Sequence, residues 1–286
     1  MTSPSPDPAS LPGFTDNLIC VVGIGRSGTT VLKNALGAHP QLLAARFEAP
    51  LERALASSFG RHLVEAPEFG DYVRSTTVAS WPNVQDSFRR LIIDAALGDD
   101  AGRERLEEER ASGRNVDEVS GWVIKVGGVW RPSIAGFVDL FSGFQPVYVH
   151  RNGIDVVESR RRFGTFADQA FEKSCRKWAS GLKVLRALEE QCDVQVVRHE
   201  DLVLEPERVM TELIDSLELT PSSAPAEHLQ KRSPNSTQNV DDDLSVAENF
   251  ANREPAHHNW TDDEKRTFVA ICSRAMNTYN YDIPFA

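Results

Sequence analysis

The stretch VVGIGRSGTTVLKNAL (21–36) reads as a buried strand, a glycine-rich turn and a helix. Its spacing is almost that of the phosphate-binding loop G-x-x-x-x-G-K-[ST]. Aligned on Gly23 and Gly28, however, the lysine position holds Thr29, and the positive charge lies inside the loop at Arg26. A glycine turn ahead of a helix presents a concave row of backbone N–H groups, and the helix dipole adds to their attraction for an anion. Gly25, Arg26, Ser27, Gly28, Thr29 and Thr30 are therefore candidate anion-binding residues.

Outward from this loop, further short apolar runs occur at 121–126, 145–150 and 193–198, with a weaker one at 41–45. Together with 18–23 they read as parallel strands covered on both faces. Helical patterns lie between them, at 29–38, 87–97, 154–162, 166–191, 206–217 and 262–277. The alternation predicts a single doubly wound α/β domain over 17–286, preceded by a Pro/Ser-rich tail, 1–16, expected to be disordered. The charge-rich insert 98–114 is expected to form a solvated helix or hairpin. The polar segment 232–259 has the length of a functional lid or of a disordered loop.

Composition narrows the partners. Against 31 basic residues stand 42 acidic ones, a net charge of −11, which argues against broad nucleic-acid binding. The four cysteines show no C-x-x-C and no ligand spacing, and the adjacent pair His257-His258 lacks partners at metal-ligand distance, so no metal is expected. The N-terminus has neither a basic n-region nor an apolar h-region, and no apolar run approaches ~18 residues. A cytoplasmic protein without a membrane span is the expectation.

The missing lysine decides which anion is transferred. Triphosphate hydrolysis uses that lysine together with Mg²⁺, and no strand here ends in an obvious metal-holding aspartate. A sulfuryl group is less charged than a terminal phosphoryl, which carries about two negative charges, and its transfer needs no divalent ion. GIGRSGTT (23–30) indeed resembles the 5′-phosphosulfate loop of sulfotransferases that use 3′-phosphoadenosine-5′-phosphosulfate (PAPS). A second signature, VYVHRNGIDVVESRRR (147–162), resembles the family's 3′-phosphate element, a strand followed by an arginine and then a serine eight residues on. The resemblance implies that Arg151 and Ser159 hold the 3′-phosphate. It departs from the family at Asn152-Gly153, where proline usually follows the Asn or Asp. VRHEDLVLEPERV (197–209) resembles a later element that usually has tyrosine where His199 stands. The likeness spans roughly 18–276, dense at the two donor motifs and thin elsewhere. It implies a P-loop NTPase-like three-layer α/β fold, with a mainly parallel sheet of about five strands flanked by helices.

The resemblance also proposes the chemistry. VIKVGG (123–128) matches the central strand that carries the catalytic lysine, giving Lys125, but lacks the histidine that serves as base in the cytosolic phenol-type enzymes. Tyrosylprotein and several bacterial sulfotransferases use a glutamate just after the second strand. In AHPQLLAARFEAPLERAL (38–55) the matching residue is Glu48, with Glu52 in reserve; a plainer reading has Glu48 capping the helix that begins near Pro50. Arg26 would serve the 5′ side. REPAHHNW (253–260) keeps the Arg-to-Trp spacing of the family's lid motif, which makes Arg253 a further candidate for the 3′-phosphate. His39, in GAHP, reads as a capping or packing residue.

The acceptor is expected to be a small metabolite with a hydroxyl group. Its walls are expected at 52–120 and 163–175, which hold Phe59, Phe69, Tyr72, Trp81 and Phe88. A P-loop kinase or NTPase, and an inactive nucleotide-binding module, stand as alternatives. The sequence carries no signal for the number of subunits.

Overall fold

The computed structural model describes residues 12–64, 75, 80–98, 102–164, 169–231 and 245–286. Five strands, β1 (Asn17–Gly23), β2 (Leu42–Glu48), β3 (Gly121–Gly127), β4 (Gly143–His150) and β5 (Gln195–Arg198), form one parallel sheet in the order β2-β3-β1-β4-β5, flanked by helices. From Leu18 onward every residue of the central strand β1 is buried, which explains its unbroken apolar run. The weak run at 41–45 is only the buried start of β2. Its last three residues, Arg46, Phe47 and Glu48, are exposed, so the apolar pattern stops before the strand does.

The chain divides into two compact units, 1–20 with 40–145 and 21–39 with 146–286. In the first, β2 and β3 run in register from Leu42↔Gly121 to Ala44↔Val123 and shift before Glu48↔Lys125. Trp122 is fully buried, donates its indole N–H to Thr15 O (3.0 Å) and meets Phe141 edge-on. Three sequence expectations are corrected or sharpened here. Phe59 is only 2% exposed, stacks on Trp81 and meets Phe88 at a tilt, so this trio packs helices together and Phe59 cannot wall an acceptor pocket. Phe69 and Tyr72 lie outside the described residues. The 87–97 helix starts earlier, at Trp81, because Ser80 is its N-cap and Pro82 suits its first turn. Within the charged insert a helix, Arg103–Ala111, has no buried residue and is laced by ion pairs such as Arg105 with Glu109.

A helix the sequence reading missed, Arg131–Leu140, crosses Pro50–Val64 at unusually close range. A Cβ at Gly136 would lie 1.9 Å from Ala56 O, and one at Gly60 would lie 2.0 Å from Pro132 O. Backbone on both sides cannot yield cheaply, so Gly136→Ala should destabilise the protein by about 3 kcal/mol through overpacking. The measurement is urea unfolding. If the helices did not approach so closely, alanine's better helix propensity would raise stability by ~1 kcal/mol instead, so the sign decides.

In the second unit, β4 and β5 pair from Val147↔Gln195 to His150↔Arg198. Trp178, packed on Phe268 and Tyr279, anchors the core, and the Tyr148 and Tyr279 hydroxyls meet at 2.9 Å inside it. The single long helix expected over 166–191 is two helices, Phe171–Ala179 and Gly181–Glu189, with residues 165–168 outside the described set. At the break, Gly181 sits where a Cβ would be 2.6 Å from the Tyr148 hydroxyl, a close approach that needs glycine. Of the expected lid, 232–244 lies outside the described residues, and 245–259 contains a short helix, Val246–Ala251, opened by a Ser245/Glu248 capping box. The last helix, Asp262–Thr278, begins at a second such box, Thr261 with Glu264.

Candidate active site

The anion loop and both arginine motifs fall in the second unit. The loop backbone demands particular residues. Gly23 has no room for a side chain, since a Cβ would lie 2.6 Å from Val149 O. Arg26 takes a left-handed conformation (φ 81°), uncommon for a residue with a side chain. Gly28 caps the following helix, Thr29–Gly37, at φ 94°, and a Cβ there would lie 2.2 Å from His199 Cδ2. His199 therefore floors the loop. Burial, then the nearby guanidiniums of Arg151 and Arg253, hold its imidazole well below the usual histidine range. It is neutral, and its buried Nδ1 has no hydrogen-bond partner among the described residues. The histidine that stands at 199 where the family usually has tyrosine thus lies directly beneath the turn.

The two expected donor motifs are in direct contact. Arg26 Nε donates to Ser159 Oγ (3.1 Å), and the Arg26 guanidinium lies 4.3 Å over the Phe163 ring. Arg151 Nη1 reaches Arg26 O at 3.4 Å. Arg151 Nε also faces Asp155 Oδ2 at 3.7 Å, and Arg253 pairs with the same carboxylate oxygen. Three guanidiniums thus gather around Asp155, with the Glu200 carboxylate near enough to act on Arg151 as well. Burial lowers the affinity of Arg26 and Arg151 for their protons without neutralising either. Arg253 is steered by a cation–π contact with Phe250 (4.0 Å). Trp260, at the far end of REPAHHNW, donates to Glu158 Oε2 at 2.9 Å, so this motif grips the Gly153–Arg162 helix at two points one turn apart.

The Asn152-Gly153 departure has a structural reason. The Asn152 side chain caps the Gly153–Arg162 helix by accepting from the Ile154 N–H (2.9 Å), while a Cβ at Gly153 would lie 2.9 Å from the Trp178 indole. Proline, which has a Cβ, does not fit. The turn is fixed from outside as well, because Glu200 accepts from the Asn152 N–H (2.9 Å) and from the Tyr281 hydroxyl (2.8 Å). Since that hydroxyl's proton goes to Glu200, His150 Nδ1–H donates to Tyr281 Oη (3.0 Å). Burial and the Arg198 charge push the His150 imidazole down to about 4.

Glu48 and Lys125 fall in the first unit and form an ion pair, Lys125 Nζ to Glu48 Oε2, at 3.1 Å. The β2–β3 shift makes them register partners, and the Ala49 N–H continues the ladder to Lys125 O (3.0 Å). Glu48 Oε1 packs on Gly127, where a Cβ would lie 2.6 Å away. The Glu48 side chain is 52% exposed and that of Lys125 19%. Glu52 differs in kind. It is buried, its Oε2 has no hydrogen-bond partner among the described residues, burial raises its pKa, and hydrogen bonds from the Leu51 and Glu52 N–H groups pull the other way. Glu52, not Glu48, is the carboxylate at the first turn of Pro50–Val64. His39 is buried, with Nε2 2.8 Å from Thr220 O.

Sequence reasoning missed three contributors. Asp155 could have been read from its i, i+4 spacing to Arg151. Arg53 hydrogen-bonds Gly127 O and Gly128 O, and Trp130 stands 46% exposed; neither carries a local signal of its role.

A five-stranded parallel sheet flanked by helices, with arginines gathered at its first loop and after its fourth strand, defines a protein of the α/β class. The chain belongs to the sulfotransferase family, whose model matches residues 19–223. Among solved structures it is similar to the sulfotransferase domain from the curacin biosynthetic pathway, at 17% identity and a TM-score of 0.52, over 94% of this chain and 99% of that one. It is likewise similar to the sulfotransferase domain of the Synechococcus PCC 7002 olefin synthase, at 16% identity and a TM-score of 0.50, over 94% and 96% of the two chains. These likenesses are of fold. No curated protein matches the sequence. Family and fold support sulfotransfer as the activity.

Proposed function

We propose that the protein transfers a sulfuryl group from PAPS to a hydroxyl of a small-molecule acceptor, with Glu48 as general base. The observation that carries this reading is the cluster of Arg26, Arg151 and Arg253 around Asp155, at a glycine loop that has the buried Thr29 in place of lysine. Such a site suits a nucleotide bearing phosphates at two positions and lacks the lysine that grips the β- and γ-phosphates of a triphosphate. Arg26 spends Nε on Ser159 and keeps its two Nη groups for the donor. The loop N–H groups, with Ser27, Thr29 and Thr30, would serve the 5′ side. Arg151, Ser159 and Arg253 would serve the 3′-phosphate.

In the transfer, the acceptor oxygen forms the new S–O bond as its proton passes to the Glu48 carboxylate. The bond from sulfur to the 5′-phosphate oxygen breaks, and its electron pair stays with the departing adenosine 3′,5′-bisphosphate. Exposure favours Glu48 over Glu52, whose buried carboxyl an acceptor hydroxyl cannot reach. Lys125 holds Glu48 in place through their ion pair, and supplies positive charge for the oxygens of the transferring group.

Calorimetry tests the donor. Adenosine 3′,5′-bisphosphate without Mg²⁺ should bind at least about 100-fold more tightly than ATP–Mg²⁺, a difference of about 2.7 kcal/mol. Equal affinity, or a requirement for the metal, would favour the kinase reading.

A further inference from the structure

A cleft of about 390 Å³ opens in the first unit, lined by Arg53, Arg61, Ser57, Gly128 and Trp130 among others. It adjoins the proposed base through the backbone. Glu48 Oε1 packs on Gly127, Gly128 is the next residue in the chain, and Arg53 clamps both carbonyls. Gly128 takes a left-handed conformation (φ 67°), and a Cβ there would lie 3.0 Å from Arg53 Nη1, so the wall of the cleft is shaped around that guanidinium.

The charge in this cleft is unusual. The protein carries a net charge of −11, yet among the described residues neither Arg53 nor Arg61 has a carboxylate within ion-pair distance. Arg53 spends part of its donor capacity on the two glycine carbonyls. Arg61 makes a different contact, 5.5 Å over the ring of Trp130, and among the described residues its donors meet no protein acceptor. Trp130 is itself among the large apolar side chains left exposed. A guanidinium stacked on an exposed indole is a surface that takes a planar anion in a forked pair of hydrogen bonds while the ring covers an adjoining apolar body.

Resting on the proposed sulfotransfer reading, we infer that the acceptor carries a carboxylate: the Arg61–Trp130 cleft binds that anionic end and presents the hydroxyl to Glu48. With Arg53 donors already engaged by the two glycine carbonyls, Arg61 offers one planar fork of donors, which the two oxygens of a carboxylate match. The preferred acceptors are therefore hydroxylated carboxylic acids with an apolar aromatic or aliphatic body.

The test is equilibrium binding to the full chain saturated with adenosine 3′,5′-bisphosphate. A panel of hydroxylated aromatic and aliphatic carboxylates is compared with the methyl ester of each. At least one acid should bind about 10-fold or more tightly than its ester, the range of one charge-assisted hydrogen bond. Arg61→Ala should bring that ratio to near one, and Arg61→Lys should restore it in part, because the charge returns without the fork. Arg61 is exposed, so both variants should keep the thermal midpoint of the parent, which circular dichroism checks. Esters that bind as well as their acids across the panel, or an acid preference that survives Arg61→Ala, would overturn the inference. An Arg61-dependent acid preference without sulfate transfer would keep the anion cleft and sink the sulfotransfer reading instead, so the two failures are separable.

Discussion

Glu48→Gln should lower the turnover of radiolabelled sulfate from PAPS to an acceptor by about 10²–10⁴-fold, the contribution of a positioned general base. The amide keeps the shape of the side chain and can still accept from Lys125 Nζ, now 3.1 Å from the carboxylate, but it cannot take a proton. Affinity for adenosine 3′,5′-bisphosphate should change less than about 2-fold, because the donor residues belong to a different part of the sequence. Lys125→Ala should also reduce turnover. The double variant should lose far less than the product of the two single losses, since the residues act as a pair. Turnover within 3-fold of the parent in Glu48→Gln would remove Glu48 from the chemistry. Glu52→Gln is the informative companion. Its buried carboxyl sits in the first turn of a helix, so its loss should appear in stability and leave kcat nearly intact.

Arg151→Ala should weaken adenosine 3′,5′-bisphosphate binding by about 10²–10³-fold, the effect of losing a buried, charge-assisted anion contact. The stability of the unliganded protein should fall much less. Arg151 faces Arg26 and Arg253 as well as Asp155, and Arg253 remains to neutralise that carboxylate. A contact that stabilises only the fold would behave the other way, with stability falling and affinity holding. Calorimetry and urea unfolding on the same preparation separate the two. Arg151→Lys should land between the parent and the alanine variant, retaining charge without the planar fork.

The reach of the sequence can be traced residue by residue. Apolar runs marked all five strands, most fully the buried β1 and β3, because parallel strands buried on both faces admit little else. β2 was legible only to Ala45, where its side chains turn outward. GIGRSGTT and the Arg-to-Ser spacing of 151–159 were legible because backbone conformation and helix periodicity constrain them locally. Gly28 is glycine for its φ of 94°, and an arginine at a strand end with a serine two turns along a helix is a matter of spacing.

Local pattern told nothing of what the residues meet across the fold. Phe59, Trp81 and Phe88 look alike whether they wall a pocket or pack helices, and only the burial of Phe59 and its ring contacts with the other two assign the trio to packing. The glycine at 181, beside the helix break, answers to Tyr148 on another element, and the glycine at 153 answers to Trp178. Gathering Arg26, Ser159, Arg151, Asp155 and Arg253 into one cluster required contacts across as many as 133 residues of chain. The sequence by itself determined the strands, the anion loop and the family, since each rests on periodicities a few residues long. The pairing of Glu48 with Lys125, the burial of Glu52 and the cleft beside Trp130 belong to the tertiary structure alone, because each depends on which distant segments the folded backbone brings within a few ångströms.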